Sequence, residues 1–306
     1  MHALKHPAFL KALPVLTIDA RLLYMWIFYV AAPVLLILLL WLFLIAAGSS
    51  RGMEKYKCIK YAHRGLHGTV GKEPYAAENS MTAFERAAEL GFGIELDVQV
   101  SRDGEVVVFH DETLRRVTGV CGKVRDFTLA ELKACRLCQT DDTIPTLSEV
   151  LELVDGRVPI LVELKETGFD HTISEKTAQI LKSYKGDFIV ESFSPLAFSA
   201  IRRALPDTPC GFLSDKLTEN EDYRSLKYRI IQRFLLNFKA RPAFIAMNLN
   251  RASMFPLPII KRLFGTPTLA WTVRSAEEEA QAYKDGFSGI IFENYIPDNI
   301  NGEPHQ

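Results

Sequence analysis

Two short segments of the chain place charged side chains on alternate residues among apolar ones. The segment IELDV presents Glu95 and Asp97, and the segment ILVELK presents Glu163 and Lys165. Since the side chains of a strand alternate between its two faces, the charged residues of each segment share one face. A solvated strand face explains one such segment. Two segments whose opposite faces are apolar predict a charged site that points inward.

Three carboxylates that meet in a buried site repel one another strongly. Either a cation or shared protons must relieve this repulsion. A cation at such a site would be Mg²⁺ or Ca²⁺, because oxygen-only ligands favour these ions over softer metals.

Two histidines end predicted strands. His63 follows the first strand in AHRG, and His110 follows a short strand in FHD. A single histidine at a strand end is commonly a hydrogen-bonded structural residue, and a metal ligand is a further alternative. Two histidines beside a cation site indicate a general acid and a general base, because imidazole titrates near neutral pH. No role is predicted for the other histidines, His67 among them.

Short apolar strands that alternate with helices must position these residues. Four residues, Ser101–Gly104, join the second and third strands, so this pair is antiparallel, whereas parallel neighbours need a crossover of about a dozen residues. Removing the third strand as an excursion leaves eight and predicts an α/β fold, a (β/α)8 TIM-type barrel. An open doubly wound sheet is the alternative, but it needs a glycine-rich turn where the chain has HRG. The nine predicted strands are 58–62, 93–100, 105–109, 158–165, 188–193, 209–214, 244–249, 268–273 and 288–292.

Helix starts are marked by capping signals. Thr128, Thr146 and Ser275 each precede a glutamate by three residues, which is the pattern of a capping box. A further helix, Met81–Leu90, is predicted to stop at Gly91. These signals place helices between the strands, as the barrel requires.

An apolar run without a charge, residues 22–47, precedes the predicted barrel. As a helix it is about 39 Å long, against a hydrocarbon core of roughly 30 Å. We predict a transmembrane helix that Pro33 kinks, because the apolar core of a cleaved signal peptide is shorter. The predicted domains are a tail (1–21), the transmembrane helix (22–47), a linker (48–56), the barrel (57–300) and a second tail (301–306).

The charges around the apolar run predict that the catalytic domain of a single-pass membrane protein faces the cytoplasm. Arg51, Lys55, Lys57 and Lys60 follow the run, and three basic residues precede it, so the positive-inside rule favours a cytoplasmic C-terminal side. The five cysteines agree with this orientation. An odd number without a disulfide framework favours a reducing compartment.

The overall charge argues against nucleic acid as a partner. The 306 residues carry a formal net charge of −1. Binding to a phosphate backbone needs a concentrated basic surface, and the chain has no long run of one sign.

An ordered set of motifs resembles the glycerophosphodiester phosphodiesterase family. Each motif alone is weak, but together they extend from Lys57 to Pro297, which is most of the chain. The motifs, in order, are AHRG at Ala62, ENS at Glu78, AF at Ala83, IELDV at Ile94, DG at Asp103, HD at His110, PTL at Pro145, EVL at Glu149, ELK at Glu163, SF at Ser192 and WTV at Trp271.

The resemblance implies a TIM barrel that uses one divalent cation, Mg²⁺ or Ca²⁺, and two catalytic histidines. It also implies that the hairpin bearing the second histidine is part of a catalytic loop. The implied residues are Glu95, Asp97 and Glu163 for the metal and His63 and His110 for catalysis. Arg64 and Lys165 are placed to bind the phosphate of the substrate. Trp271 is a further candidate for substrate binding, and Glu78 and Asn79 are candidates for support of the metal ligands.

Two departures from the family pattern lie at the predicted barrel mouth. The family usually has Asn after WTV, where this chain has Arg274. Its last strand usually ends in Thr-Asp, where this chain has Phe292, Glu293 and Asn294. Ser80 replaces a usual Thr. These departures bear on the choice of substrate more than on the reaction.

The predicted function is metal-dependent hydrolysis of glycerophosphodiesters to glycerol phosphate and an alcohol. One alternative is a lysophospholipase D that acts on lysophospholipids at the membrane, which the predicted helix favours by analogy. A second alternative, a catalytically silent membrane-bound sensor barrel, is disfavoured because every charged residue of the motifs is present.

An apolar segment after strand 244–249 bears on this choice. Phe255 and Leu257 lie among prolines, so we expect them in a loop at the barrel mouth. Such a loop suits insertion into lipid, with Lys261 and Arg262 meeting the headgroups. The alternative is that Phe255 and Leu257 pack against the barrel.

Overall fold

The computed structural model places the chain in two compact units, Met1–Phe43 and Leu44–Gln306. The predicted second tail and nearly all of the first lie outside the described residues. The described residues are 20–69, 74–166, 170–216 and 225–298.

The described part of the first unit is an apolar helix. It consists of α1 (Ala20–Trp26), a π-helical turn (Ile27–Ala31) and α2 (Ala32–Ile45). The wide turn directly precedes Pro33. Its geometry accommodates the proline ring and the absence of a proline N–H. The 23 residues Leu23–Ile45 have a mean hydropathy of 2.7, so the helix is long and apolar enough to cross a membrane.

The second unit is built on eight parallel strands that close into a barrel. The order is β1-β9-β8-β7-β6-β5-β4-β2, and pairing of β1 with β2 completes the circle. The predicted (β/α)8 barrel is confirmed. The barrel strands are β1 (Lys60–Ala62), β2 (Gly93–Val100), β4 (Ile160–Leu164), β5 (Phe188–Ser192), β6 (Cys210–Ser214), β7 (Phe244–Asn248), β8 (Thr268–Val273) and β9 (Gly289–Phe292).

The remaining strand, β3 (Val106–Val108), lies outside the circle. It pairs antiparallel with β2, with Val98 opposite Val108. The segment that follows packs around its own apolar cluster, which includes Phe109 and Leu137. The third predicted strand, 105–109, is therefore an excursion, as its tight connection indicated.

Helices connect the strands, and the predicted caps form. The Thr128 and Thr146 boxes are reciprocal. Ser275 accepts from the Glu278 amide, but the Glu278 carboxylate accepts from the Arg274 amide instead. The helices are α3 (Met81–Glu89), α4 (Arg115–Thr118), α5 (Leu129–Lys133), α6 (Leu147–Val154), α7 (Thr172–Leu181), α8 (Phe198–Ala204), α9 (Leu226–Gln232), α10 (Asn237–Ala240), α11 (Leu257–Phe264) and α12 (Ala276–Lys284).

The barrel interior is apolar below the mouth. Tyr61, Leu161 and Phe244 are among the side chains that fill it. Met53 and Tyr56 belong to the same cluster and are almost fully buried, although they come from the segment predicted as a linker. This segment packs under the N-terminal ends of the strands.

The prediction that Phe255 and Leu257 both lie in a loop is wrong for Leu257. Leu257 is fully buried and begins α11, because a helix tolerates Pro258 in its first turn. Phe255 is 51% exposed. Leu257 is therefore a packing residue, and only Phe255 is placed to contact anything outside the barrel.

Candidate active site

Three carboxylates converge inside the barrel at the C-terminal ends of β2 and β4. Asp97 is the register neighbour of Glu163 on the adjacent strand, and Glu95 lies on the same face of β2 as Asp97. One oxygen of each residue lies within 4.8 Å of those of the other two. All three side chains are buried, while Ile94 and Leu96 fill the opposite face of β2.

The electrostatics of this cluster require a positive charge or shared protons. Burial, followed by repulsion from Asp97 and Glu163, raises the pKa of Glu95 well above its usual value. Burial also raises the pKa of Glu163, to about 7. Burial opposes ionisation of Asp97, but Lys165, His110 and Arg64 outweigh it and hold the pKa of Asp97 below its usual range.

The donor set fits a hard divalent cation. It is made of carboxylate oxygens alone, buried and close together, and Mg²⁺ and Ca²⁺ prefer such ligands. Among the described residues one other group could hold a metal: His63, His67 and Glu293. A direct hydrogen bond between His63 and Glu293 accounts for the closeness of those two side chains.

Lys165, Asn79 and Arg64 surround the carboxylates. The Lys165 ammonium lies 2.7 Å from Glu163 Oε1 and 2.8 Å from Asp97 Oδ1. The Asn79 amide donates to Asp97 Oδ2 at 2.8 Å. The Arg64 backbone N–H donates to Glu95 Oε2 at 2.8 Å. These donors fix the carboxylates and place two cations at the mouth.

His63 is held by Glu293, which lies near the C-terminal end of the barrel sequence. The imidazole Nδ1 lies 2.6 Å from Glu293 Oε2, directly after β9. Glu293 Oε1 accepts from Arg274 Nε at 2.8 Å. Burial lowers the pKa of His63, and the hydrogen bond that His63 donates to Glu293 opposes that change. The two departures from the family pattern thus contact each other and one histidine.

His110 has the same arrangement. Its Nδ1 lies 2.7 Å from Asp111 Oδ1, and Arg116 Nε donates to Asp111 Oδ2 at 2.6 Å. Arg116 also donates twice to Glu78, at 2.7 Å each, and Glu78 accepts from Arg64 Nη1 at 2.9 Å. Each histidine therefore has Nδ1 fixed by a carboxylate that an arginine holds in turn, which leaves Nε2 for proton exchange.

Gln99 positions the loop that carries His110. Its amide donates to the carbonyls of Phe109 at 2.8 Å and Asp111 at 2.7 Å. The sequence contained a signal for this residue, since Gln99 continues the alternation of Glu95 and Asp97. Sequence reasoning gave it no role.

Glu191 is a second buried residue that sequence reasoning missed. It is the register neighbour of Glu163 on β5 and is 1% exposed. Burial, followed by the charge of Glu163, raises the pKa of Glu191 well above its usual value. The signal was an acidic residue in an otherwise apolar strand, at the level of Glu163.

Trp271 lies over the apolar interior of the barrel. Its ring is half-buried and meets Phe193 edge to face, with centroids 6.0 Å apart. The two rings form an apolar wall between the buried core and the charged mouth. All ten residues predicted for the site are among the described residues. Hydrogen bonds and ion pairs join the polar ones other than His63 into one network that passes through Asp111 and Arg116, and His63 belongs to a second group with Glu293 and Arg274.

Comparison with known families gives one match that covers most of the chain. Residues 63–296 match the glycerophosphoryl diester phosphodiesterase family.

Individual relatives agree with this match. The chain is 31% identical over 247 residues to a glycerophosphodiester phosphodiesterase of Caldanaerobacter subterraneus subsp. tengcongensis, covering 77% of this chain and 93% of the relative. It is similar in fold to a phosphodiesterase of Oleispira antarctica in complex with the product sn-glycerol-3-phosphate, with a TM-score of 0.63, 23% identity, and 78% and 94% of the two chains covered. It is also 34% identical over 152 residues to the lysophospholipase D GDPD1 of Rattus norvegicus, covering 45% of this chain and 46% of that one.

Proposed function

Because the chain belongs to the glycerophosphoryl diester phosphodiesterase family, we propose that it hydrolyses glycerophosphodiesters with one divalent cation and two histidines. The products are glycerol phosphate and an alcohol. One observation carries the proposal: the three-carboxylate cluster and both carboxylate-bound histidines lie at one end of one barrel. The product bound by the Oleispira phosphodiesterase supports the choice of substrate.

The diester resists attack because its anionic oxygens repel a nucleophile. Glu95, Asp97 and Glu163 would hold the cation, which when bound supplies positive charge to a phosphoryl oxygen. Arg64 and Lys165 bring further positive charge, and a guanidinium pairs well with phosphate oxygens. Burial alone would lower the pKa of Lys165, but Asp97 and Glu163 raise it, so the ammonium stays charged at neutral pH.

The alkoxide leaving group requires a proton, and the attacking group, either water or the neighbouring glycerol hydroxyl, must lose one. His63 and His110 lie at the mouth, and an imidazole can exchange protons near neutral pH. With Nδ1–H donated to Glu293 or Asp111, a neutral imidazole presents a bare Nε2, and a protonated one presents an Nε2–H. Either histidine is thus arranged to serve as acid or base, and the pH profiles described below distinguish the two assignments.

A lysophospholipase D activity is the second candidate. It is favoured by the similarity to the rat lysophospholipase D and by the apolar N-terminal helix, which we propose spans a membrane. The apolar wall formed by Trp271 and Phe193 could contact an acyl chain. This candidate uses the same site and the same bond cleavage.

Release of choline from glycerophosphocholine and from lysophosphatidylcholine, with and without EDTA, tests both candidates. We expect cation-dependent turnover of the soluble diester. Glu95→Gln, Asp97→Asn and Glu163→Gln should each abolish it and weaken cation binding measured by calorimetry, while the circular dichroism spectrum is retained. Full activity in EDTA, or in any of the three variants, contradicts the metal mechanism.

A further inference from the structure

His67 lies close to the pair formed by His63 and Glu293, and the proposed reaction does not use it. One ligand atom of each of these three side chains lies within 4.8 Å of those of the other two. His67 Nε2 is 3.8 Å from Glu293 Oε2, which is too long for a hydrogen bond. Among the described residues this buried nitrogen has no hydrogen-bond partner. The hydrogen bond between His63 and Glu293 therefore explains two members of the group and leaves the third unexplained.

The backbone on both sides of His67 holds its imidazole in place. Gly65 has a φ of +78°, and a Cβ there would lie 2.9 Å from Ala83, so the tight turn after β1 requires a glycine. The Leu66 amide donates to the Ala83 carbonyl at 2.9 Å. Gly68 forms an antiparallel bridge in which both backbone hydrogen bonds are made. The loop therefore fixes the position of His67 before any ligand binds.

Glu293 presents one oxygen to the two histidines. Its backbone N–H donates to the Val273 carbonyl at 2.9 Å, which fixes the residue after β9. Its Oε1 accepts from Arg274 Nε at 2.8 Å, so Oε2 is the oxygen that faces His63 and His67. Carboxylates that bind a metal are commonly held by such an outer hydrogen bond. The positive charge of Arg274 opposes a cation, so we expect the site to bind more weakly than one without an arginine.

The ligand chemistry of this group differs from that of the three carboxylates. Two imidazole nitrogens and one carboxylate oxygen suit Zn²⁺, whereas Mg²⁺ and Ca²⁺ prefer oxygen ligands alone. Zn²⁺ holds its ligands at about 2.0–2.2 Å, so the ligand atoms of a tetrahedral site lie roughly 3.4 Å apart. His63 Nδ1 and Glu293 Oε2, which are 2.6 Å apart, would separate by about 0.8 Å, and His67 Nε2 would approach by about 0.4 Å. Small side-chain rotations supply such shifts, and water can take the fourth position.

We propose that His63, His67 and Glu293 bind Zn²⁺ and that the bound ion inhibits the enzyme. The inhibition rests on the proposed function, because it acts on a histidine that exchanges protons there. With Zn²⁺ on Nδ1 of His63, the Nδ1 proton passes through solvent to Nε2, where the one proton of a neutral ring must then lie. This Nε2 has no lone pair for a general base, and a neutral ring does not release its last proton near neutral pH. Zn²⁺ therefore removes His63 from proton exchange in either role.

Inhibition kinetics test the effect of the ion. Release of choline from glycerophosphocholine by the full-length chain is followed at saturating Mg²⁺ while Zn²⁺ is added. We expect kcat to fall at least about 10²-fold, which is the contribution of one histidine that transfers a proton. A large excess of Mg²⁺ should not restore turnover, because Mg²⁺ does not compete for imidazole ligands. Full restoration by Mg²⁺ would place the inhibitory Zn²⁺ at the three carboxylates and overturn the proposal.

His67→Gln removes one proposed ligand and leaves both catalytic histidines in place. Without Zn²⁺ its kcat should stay within about threefold of the natural value, and Zn²⁺ should no longer inhibit it. His171→Gln is the matched control, because His171 Nδ1 also lies near a carboxylate, 2.9 Å from Glu166 Oε1, but belongs to no group of three metal ligands among the described residues. Zn²⁺ should inhibit this control as strongly as the natural chain. Equal inhibition of His67→Gln and the natural chain overturns the proposal.

Calorimetry measures Zn²⁺ binding without turnover. Glu95→Gln, which lacks one ligand of the carboxylate site, should still bind Zn²⁺. Adding His67→Gln should weaken this binding at least about tenfold, since loss of even an outer partner of a metal ligand costs about 10–100-fold in affinity. Unchanged affinity in the double variant overturns the site.

A measurement that leaves His67 unaltered covers the case in which His67→Gln does not fold. Co²⁺, which can replace Zn²⁺, should give the strong visible absorption of a tetrahedral site in the Glu95→Gln chain. The weak absorption of an octahedral site of oxygen ligands overturns the proposal. If no chain hydrolyses glycerophosphocholine, the proposed function fails, and the calorimetry and the Co²⁺ spectrum still decide whether the zinc site exists.

Discussion

Replacing Glu293 by Gln removes the negative charge from Nδ1 of His63 while keeping the size of the side chain. The carboxylate lies 2.6 Å from the imidazole and is 13% exposed, so water screens it little. Two unit charges about 4 Å apart interact by about 4 kcal/mol at an effective dielectric constant of about 20. Arg274, which lies 2.7 Å from the same carboxylate, offsets part of the attraction between Glu293 and a protonated His63. We expect a loss of about 2–3 kcal/mol of transition-state stabilisation, or roughly 10²-fold in kcat.

The pH profile assigns the role of His63. Glu293 raises the pKa of His63 against the effect of burial, so its removal must lower that pKa further. If His63 is the general base, the acidic limb of the kcat/KM profile moves to lower pH. If His63 is the general acid, the alkaline limb moves to lower pH.

Glu85→Gln is the matched control, because Glu85 forms an exposed ion pair with Arg157 away from the barrel mouth. Its kcat and profile should equal those of the natural chain. If Glu293→Gln stays within about threefold of the natural kcat, with both limbs unmoved, Glu293 does not position a catalytic histidine.

Three further predictions concern the cluster, the histidines and the packing. Because the folded pKa of Glu163 is raised to about 7, the cation-free barrel should lose on the order of 3 kcal/mol of stability as pH rises from about 4.5 to 7. Bound cation should suppress this loss, and melting curves with EDTA or Mg²⁺ measure it. His63→Ala and His110→Ala should each lower kcat at least about 10²-fold, with the double variant barely worse; multiplying effects contradict a shared transition state. Leu257→Ala should destabilise the barrel by about 2–4 kcal/mol in urea, and Phe255→Ala by less than about 0.5, since only Leu257 is buried; equal losses contradict this assignment.

The excursion shows how much of the fold is determined by spacing within one short segment of sequence. The four residues between the predicted strands 93–100 and 105–109 force an antiparallel pair, and this alone separates the excursion from the eight barrel strands. The alternation that joins Glu95 to Asp97 is equally local, since the period of a strand is two residues wherever the strand lies. The apolar helix was visible for the same reason, because its length and composition are properties of one segment.

Contacts between distant segments required the tertiary structure. Glu293 is 230 residues from His63 in sequence, and only closure of β9 onto β1 brings the two together. Pairing of β9 with β8 turns Arg274 and Glu293 from two isolated departures into one ion pair.

The burial of Met53 and Leu257 also depended on the fold. Neither Met53 in a predicted linker nor Leu257 in a predicted loop carries a periodic pattern that distinguishes packing from exposure. Periodicity reports the face of an element on which a residue lies, whereas burial depends on what another part of the chain places against that face. The sequence alone therefore determined the barrel, the apolar helix and the pattern of carboxylates. The tertiary structure decided which partners orient the histidines and which residues outside the regular pattern are buried.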